Sequence, residues 1–240
     1  MVVTTTYKLA PEVHSLRGAV AGFRYLSAYG PFRSLLDVGA GPGTWMSAAY
    51  LAGVSDVWGT DISRSVPEND FLQMCNFEIR DASEPFDLHR RFDCVICLEV
   101  AEHLHEKSTR ALIGSLCKHG DLVFFSAARP EQFGQNHVNC QWPSYWQGLF
   151  NAEGFTCIDD VRWRMWSDTD IEPWYRQNIF RAMRDPSFAG SEPRIPSVVH
   201  PDMLLYPDRR DGSEAGKSSL NSRLTRSLRA MIRRSIRGLQ

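Results

Sequence analysis

Between Ser34 and Asp160 the chain alternates short apolar runs with stretches in which apolar residues recur every three or four positions. That alternation predicts βαβ units and a largely parallel sheet. Leu35-Leu36-Asp37-Val38 reads as the first strand and Thr44 to Leu51 as a helix closed by Ala52-Gly53. Asp56-Val57-Trp58-Gly59-Thr60 follows as the second strand, ending at Asp61, and Phe77 to Arg80 as a weaker third. The apolar run Phe92 to Leu98 is of the kind buried on both faces and predicts a central fourth strand. A helix over about 106–118 leads to a fifth strand, Asp121 to Ser126, then a helix from Gln141 to Glu153 and a strand from Gly154 to Ile158.

The flanks read differently. Pro11 to Tyr29 predicts a leading helix that either covers a ligand or simply packs on the sheet. Trp163, Trp166 and Glu172 to Asn178 read as a hairpin-like element, completing a pocket or packing as a β appendage. The chain divides into a helical cap over 1–30, a main domain over 31–184, a Pro/Ser/Gly-rich linker over 185–217 and a basic helix over 218–240. In that last segment Leu220, Leu224, Leu228, Met231, Ile232, Ile236 and Leu239 recur at spacings of three and four, with arginines between them.

Bulk composition narrows the partners little: of 240 residues, 43% are hydrophobic and 23% charged, with a net charge of −1. The charge is uneven, since no acidic residue follows Glu214 while Arg223, Arg226, Arg229, Arg233, Arg234 and Arg237 accumulate. Such a helix suits an anionic membrane surface, packing on its own domain or on a second subunit in a homodimer, or, as the weakest option, nucleic-acid phosphates. Basic residues lie outside the core segments, so no nucleic acid is expected. Of six cysteines only Cys94 and Cys97 are close, inside an apolar run, which argues against zinc and for reduced thiols in a cytoplasmic setting. No run approaches the roughly 18 apolar residues of a membrane span, so any membrane contact is peripheral.

Asp37-Val38-Gly39-Ala40-Gly41-Pro42-Gly43 lies between a predicted strand and a predicted helix, the context in which a glycine-rich string binds a nucleotide-like ligand. Asp61, ending the next strand, sits where a carboxylate can accept from both ribose hydroxyls. The dinucleotide pattern needs a third glycine where this chain has Thr44 or Trp45, which disfavours a pyrophosphate ligand. Asp37 could instead hydrogen-bond the turn's own backbone, and Asp81 could be a helix cap.

Taken in order, Leu35 to Gly43, Gly59-Thr60-Asp61, Arg80-Asp81-Ala82 and Phe92 through Glu99-Val100-Ala101-Glu102-His103-Leu104 resemble the successive motifs of class I S-adenosylmethionine-dependent methyltransferases. The resemblance implies a Rossmann-like, doubly wound α/β fold with a mainly parallel seven-stranded sheet and helices on both faces. It implies S-adenosylmethionine as cofactor, held by Asp37, Gly39, Ala40, Gly41, Gly43, Trp45, Asp61, Ile62, Asp81, Ala82, Leu98 and Glu99.

The loop after the fifth strand, Gly134 to Trp146, is dense in hydrogen-bonding and aromatic side chains, as suits a polyhydroxylated acceptor. With Trp174 to Asn178 it resembles a bacterial methyltransferase subgroup associated with polysaccharide and glycan biosynthesis. The expected acceptor is therefore a sugar or oligosaccharide hydroxyl, contacted by Asn136, Gln141, Trp142, Tyr145, Trp146, Trp174, Tyr175 and Arg176. His137 is the preferred general base, with His103 and Glu102 as further catalytic candidates. Glu99 or Glu102 could also take a divalent cation such as magnesium. A small non-sugar metabolite, RNA, or a non-catalytic cofactor-binding role are the rival readings.

Overall fold

The computed structural model describes residues 15–63 and 74–204, and the predicted basic helix over 218–240 lies outside them. After a leading helix α1 (Leu16–Leu26) come β1 (Ser34–Val38), α2 (Thr44–Leu51), β2 (Asp56–Asp61), β3 (Asn76–Ile79) and β4 (Cys94–Leu98). Then follow α3 (Thr109–His119), β5 (Leu122–Ser126), α4 (Pro143–Ala152), β6 (Phe155–Ile158), α5 (Asp160–Met165), α6 (Pro173–Asn178), β7 (Phe180–Arg184) and α7 (Pro201–Leu204). The strands form one seven-stranded sheet in the order β3-β2-β1-β4-β5-β7-β6. All pairings are parallel except those of β7, which runs antiparallel to both β5 and β6.

Successive side chains of a strand point to opposite faces, and the core divides accordingly. Leu35, Cys94, Ile96, Leu98 and Phe124 face α1, α2, α5 and α6. Leu36, Val38, Val95, Cys97, Val123 and Phe125 face α3 and α4. The sheet is thus covered on both sides, which is why its central strands read as unbroken apolar runs.

Two stretches depart from the sequence reading. Residues 160–178 carry helices α5 and α6 rather than a hairpin: Pro173 opens α6, its fixed φ suiting a first helical position, and Trp174 and Tyr175 pack inward. The hairpin partner of β6 is instead β7, whose Phe180-Arg181-Ala182-Met183-Arg184 alternates buried and half-exposed positions. Residues 185–204, read as the start of a linker, are packed: Glu192, Ile195, His200 and Met203 are buried. Glu192 accepts from Gln147 Nε2 (3.0 Å), Asn151 Nδ2 (2.6 Å) and the Cys157 amide (3.1 Å), tying the segment to α4 and β6.

Candidate active site

The strand order reverses between β1 and β4, and in an open α/β sheet the crevice beyond the carboxyl ends of such strands receives ligands. The turn after β1 enters it. Amides of Gly39 and Ala40 donate to the Thr60 carbonyl (2.8 and 3.0 Å), folding the turn onto β2. Gly39 has φ +78°, and a Cβ there would stand 2.4 Å from Val100 Cγ2, so the turn and the loop after β4 touch because no side chain intervenes. Gly43, at φ +75°, is the N-cap of α2.

Asp61 receives the Gly41 amide on Oδ2 (2.9 Å) and the Ser63 amide on Oδ1 (3.3 Å). Asp37 is only 3% exposed and its Oδ2 has no hydrogen-bond partner. Burial, reinforced by the charge of Asp61, pushes its pKa up to about 8. The ladder carries β3 alongside: the Arg80 amide donates to the Asp61 carbonyl (2.9 Å), which puts Asp81 and Ala82 at the same sheet end as Asp61 and the exposed Ile62. Asp81 is exposed and caps its own turn by accepting from the Ser83 amide (2.8 Å). Trp45 is buried in packing: its ring meets Tyr175 edge-on at 5.1 Å, and its tip fills the space where Gly22 lacks a side chain.

Past β4 the polypeptide bends sharply, with Glu99 at φ +56°, a conformation that L residues adopt at a cost. Its amide donates to the Ser126 carbonyl (2.9 Å), and its carboxylate accepts from Gln132 Nε2 (2.9 Å) and Asn178 Nδ2 (3.0 Å). Three elements, the β4 loop, the β5 loop and α6, meet on that carboxylate. Glu102 and His103 lie in the short 3-10 turn Ala101–His103 that follows. Glu102 is 0% exposed, and neither carboxylate oxygen has a hydrogen-bond partner. Burial and then the neighbouring Glu99 hold its carboxyl well above the usual range.

The β5 loop folds back over this turn, with the Val138 and Asn139 amides both donating to the Glu102 carbonyl (2.8 and 3.0 Å). His137 thereby faces Glu102, Nε2 to Oε1 4.0 Å, with its ring 4.9 Å from that of His103. Its Nδ1 lies 3.1 Å from the Gln132 carbonyl, an acceptor only, so Nδ1 carries the hydrogen and Nε2 the lone pair. Burial lowers the His137 pKa, opposed by that bond, and leaves the ring neutral at neutral pH.

The predicted acceptor contacts scatter. Asn136 is exposed at φ +58° beside His137, and Gln141 donates to Asn139 Oδ1 (3.2 Å). Trp142 is half-buried as N-cap of α4, while the Tyr145 hydroxyl lies 3.3 Å from Thr109 Oγ1, at the start of α3. Trp146 is fully buried against Phe125 and Tyr145, in the core rather than in the crevice. Trp174 and Tyr175 are buried under α1 and α2. Arg176 is also turned away: its guanidinium donates to the carbonyls of Ile171 (2.9 Å) and Trp166 (3.0 Å) and to Asp202 (2.7 Å). Sequence reasoning did not single out Gln132, which bonds Glu99 and orients His137. Its one signal is that it shares a loop with His137.

The β1–β2 half of the crevice fits a cationic adenosine derivative. Asp37 is a buried carboxyl group whose Oδ2 lacks a partner, Asp61 lies beside it, and the intervening turn has no side chain at Gly39, Gly41 and Gly43. Residues 13–176 match the family described as a methyltransferase domain. DesVI of Streptomyces venezuelae superposes with a TM-score of 0.54 at 14% identity, over 74% of this chain and 99% of that one. The methyltransferase domain of bacterial CtHen1-C gives 0.53 at 14% identity, over 70% and 98%. A glycopeptide N-methyltransferase, MtfA with sinefungin, matches at 23% identity and TM-score 0.41 over 48% of this chain, which spans only 56% of that protein's length. No curated protein matches the sequence.

Proposed function

The chain belongs to the methyltransferase-domain family as an S-adenosylmethionine-dependent enzyme, and from that premise we propose that it methylates a hydroxyl of a sugar or oligosaccharide. The observation that carries the reading is the setting of His137: a neutral imidazole whose Nδ1–H is tied to Gln132, leaving the Nε2 lone pair toward Glu102 in the crevice. A hydroxyl attacks carbon well only as its proton leaves. Nε2 can accept that proton itself, or hold a divalent cation that acidifies the hydroxyl.

Asp37, the turn from Gly39 to Gly43, Asp61, Asp81, Ala82, Leu98 and Glu99 would hold the cofactor. Bound S-adenosylmethionine supplies a methyl group on a sulfonium: the new O–C bond forms as the S–C bond breaks and its electron pair stays on a neutral thioether. The protein's own part is orientation and proton removal. A sugar is supported by the half-buried polar groups of the β5 loop, His137, Cys140 and Gln141, beside Trp142.

The test is transfer of labelled methyl to a panel of sugars, amines and RNA, with cofactor binding followed by calorimetry in wild type, Asp61→Ala and His137→Ala. Asp61→Ala should lose cofactor binding, and His137→Ala should keep it while losing most turnover on sugars. Amine or RNA acceptors alone being methylated would overturn the sugar reading. Cofactor binding with no transfer to any acceptor would favour a non-catalytic scaffold.

The basic segment over 218–240 is proposed as a peripheral dock for anionic membrane. Deleting it should abolish cosedimentation with anionic vesicles, and unchanged cosedimentation would remove this part.

A further inference from the structure

Glu102, His103 and His137 each offer one ligand atom, and these atoms all lie within 4.8 Å of one another. Glu102 carries the argument. Its carboxyl group is 0% exposed and neither oxygen meets a donor in hydrogen-bond geometry, whereas buried carboxyl groups in folded proteins are paired with donors or with cations. His103 and His137 each turn a ring nitrogen toward it within that distance. The backbone keeps them together, since the Glu102 carbonyl accepts the two amides that follow His137.

We propose that Glu102, His103 and His137 form a binding site for a divalent first-row transition ion of the manganese-to-zinc range, rather than for magnesium. Three features support it. Ligand atoms about 2.1 Å from a shared ion stand roughly 3 to 4.2 Å apart, so the 4.0 Å between His137 Nε2 and Glu102 Oε1 already matches and the remaining spread needs shifts under about 1 Å. The His137 Nδ1 bond to the Gln132 carbonyl is the outer contact that fixes the tautomer and ring plane of metal-ligating histidines. Two imidazoles with one carboxylate form a donor set suited to manganese, iron, cobalt, nickel or zinc, whereas magnesium prefers oxygen ligands and retains water.

Glu99 is not a fourth ligand as it stands, because its oxygens already serve Gln132 and Asn178. An ion held by three protein groups keeps positions for water or for an acceptor hydroxyl. The turn that carries Glu102 follows Val100, which packs on Gly39, so the site adjoins the cofactor half of the crevice. As a device for the acceptor hydroxyl the site rests on the function proposed above, and it specifies the divalent cation named there. With the ion present His137 is a ligand, and the acceptor's proton passes to solvent water.

The test uses the full chain stripped of metal and titrated with Co²⁺ alone, read by calorimetry and by visible ligand-field absorption. S-adenosylhomocysteine binding serves as the check on folding. One equivalent of Co²⁺ is expected, displaced by Zn²⁺ but not by equimolar Mg²⁺. Affinity should fall at least about tenfold in each of Glu102→Gln, His103→Ala and His137→Ala, while S-adenosylhomocysteine binding is retained. Wild type that binds S-adenosylhomocysteine but no Co²⁺, Mn²⁺ or Zn²⁺, or variants that bind these ions as tightly as wild type, would overturn the site and leave the family assignment intact. Metal binding without sugar methylation keeps the site and removes the acceptor.

Discussion

At the residue scale the site runs on carboxyl groups whose surroundings differ. Asp61 is paired with backbone amides and Glu99 with two amide side chains, while Asp37 Oδ2 and both Glu102 oxygens are buried without a donor in hydrogen-bond geometry. Asp37 gives a testable sign. Its pKa of about 8 means that in the free protein the group is largely protonated at pH 7, whereas beside a bound sulfonium the ionised form is favoured. Cofactor binding at pH 7 should therefore release close to one proton, measured by calorimetry in buffers of different ionisation enthalpy. Asp37→Asn should release much less, and equal release would show that Asp37 does not meet the cofactor's charge. Because a raised carboxyl pKa favours the folded state only while the group stays protonated, Asp37 destabilises the free protein progressively as pH rises from the usual carboxylate range toward about 8.

At the scale of elements, β4 was legible because it is buried on both faces and spelled by continuous apolar residues, and β1 and β2 because short apolar runs precede the glycine turn and Asp61. The glycines with Asp61 were legible because a tight strand–turn–helix passage constrains residue type. Trp146 and Arg176 were placed at the acceptor by local composition, and their positions show why composition misleads there. An aromatic residue satisfies a core as readily as a sugar. A guanidinium can be consumed by carbonyls at the end of a short helix, as Arg176 is by Ile171 and Trp166. The Gln132–Glu99–Asn178 junction was hidden because its members are 33 and 79 residues apart and carry no shared period. Arg176→Met should lower stability by about 2–4 kcal/mol, since two buried carbonyls and Asp202 lose their donor, with cofactor affinity nearly unchanged. Urea unfolding and calorimetry read the two effects separately. A large affinity loss at unchanged stability would return Arg176 to the site.

At the scale of the whole molecule, residues 185–204 act as a strap across α4 and β6, with Glu192 as its main fastening. Burial disfavours the Glu192 carboxylate, but its donors prevail and hold the pKa below the ordinary value. A depressed carboxyl pKa stabilises the fold above the unfolded value and ceases to do so as pH falls through the folded one. Glu192→Ala should therefore cost about 2–3 kcal/mol at pH 7, with the gap to wild type narrowing in the acid range, measured by urea midpoints at several pH values. A gap that is constant with pH would mean the carboxylate is not what fastens the strap. The inserted strand β7 sets a further order, this time in time. Among the described residues it is the last strand to leave the ribosome, yet β6 has no other neighbour there and β5 needs it along one side. Asn178, which completes the bonding of Glu99, lies just before it. A chain still being synthesised can close the β1–β2 half of the crevice early, while the Glu99 side waits for β7 to thread between two strands already made. Until then the facing edges of β5 and β6 are open to other nascent chains, so the strand that completes the sheet also removes two of its aggregation-prone edges.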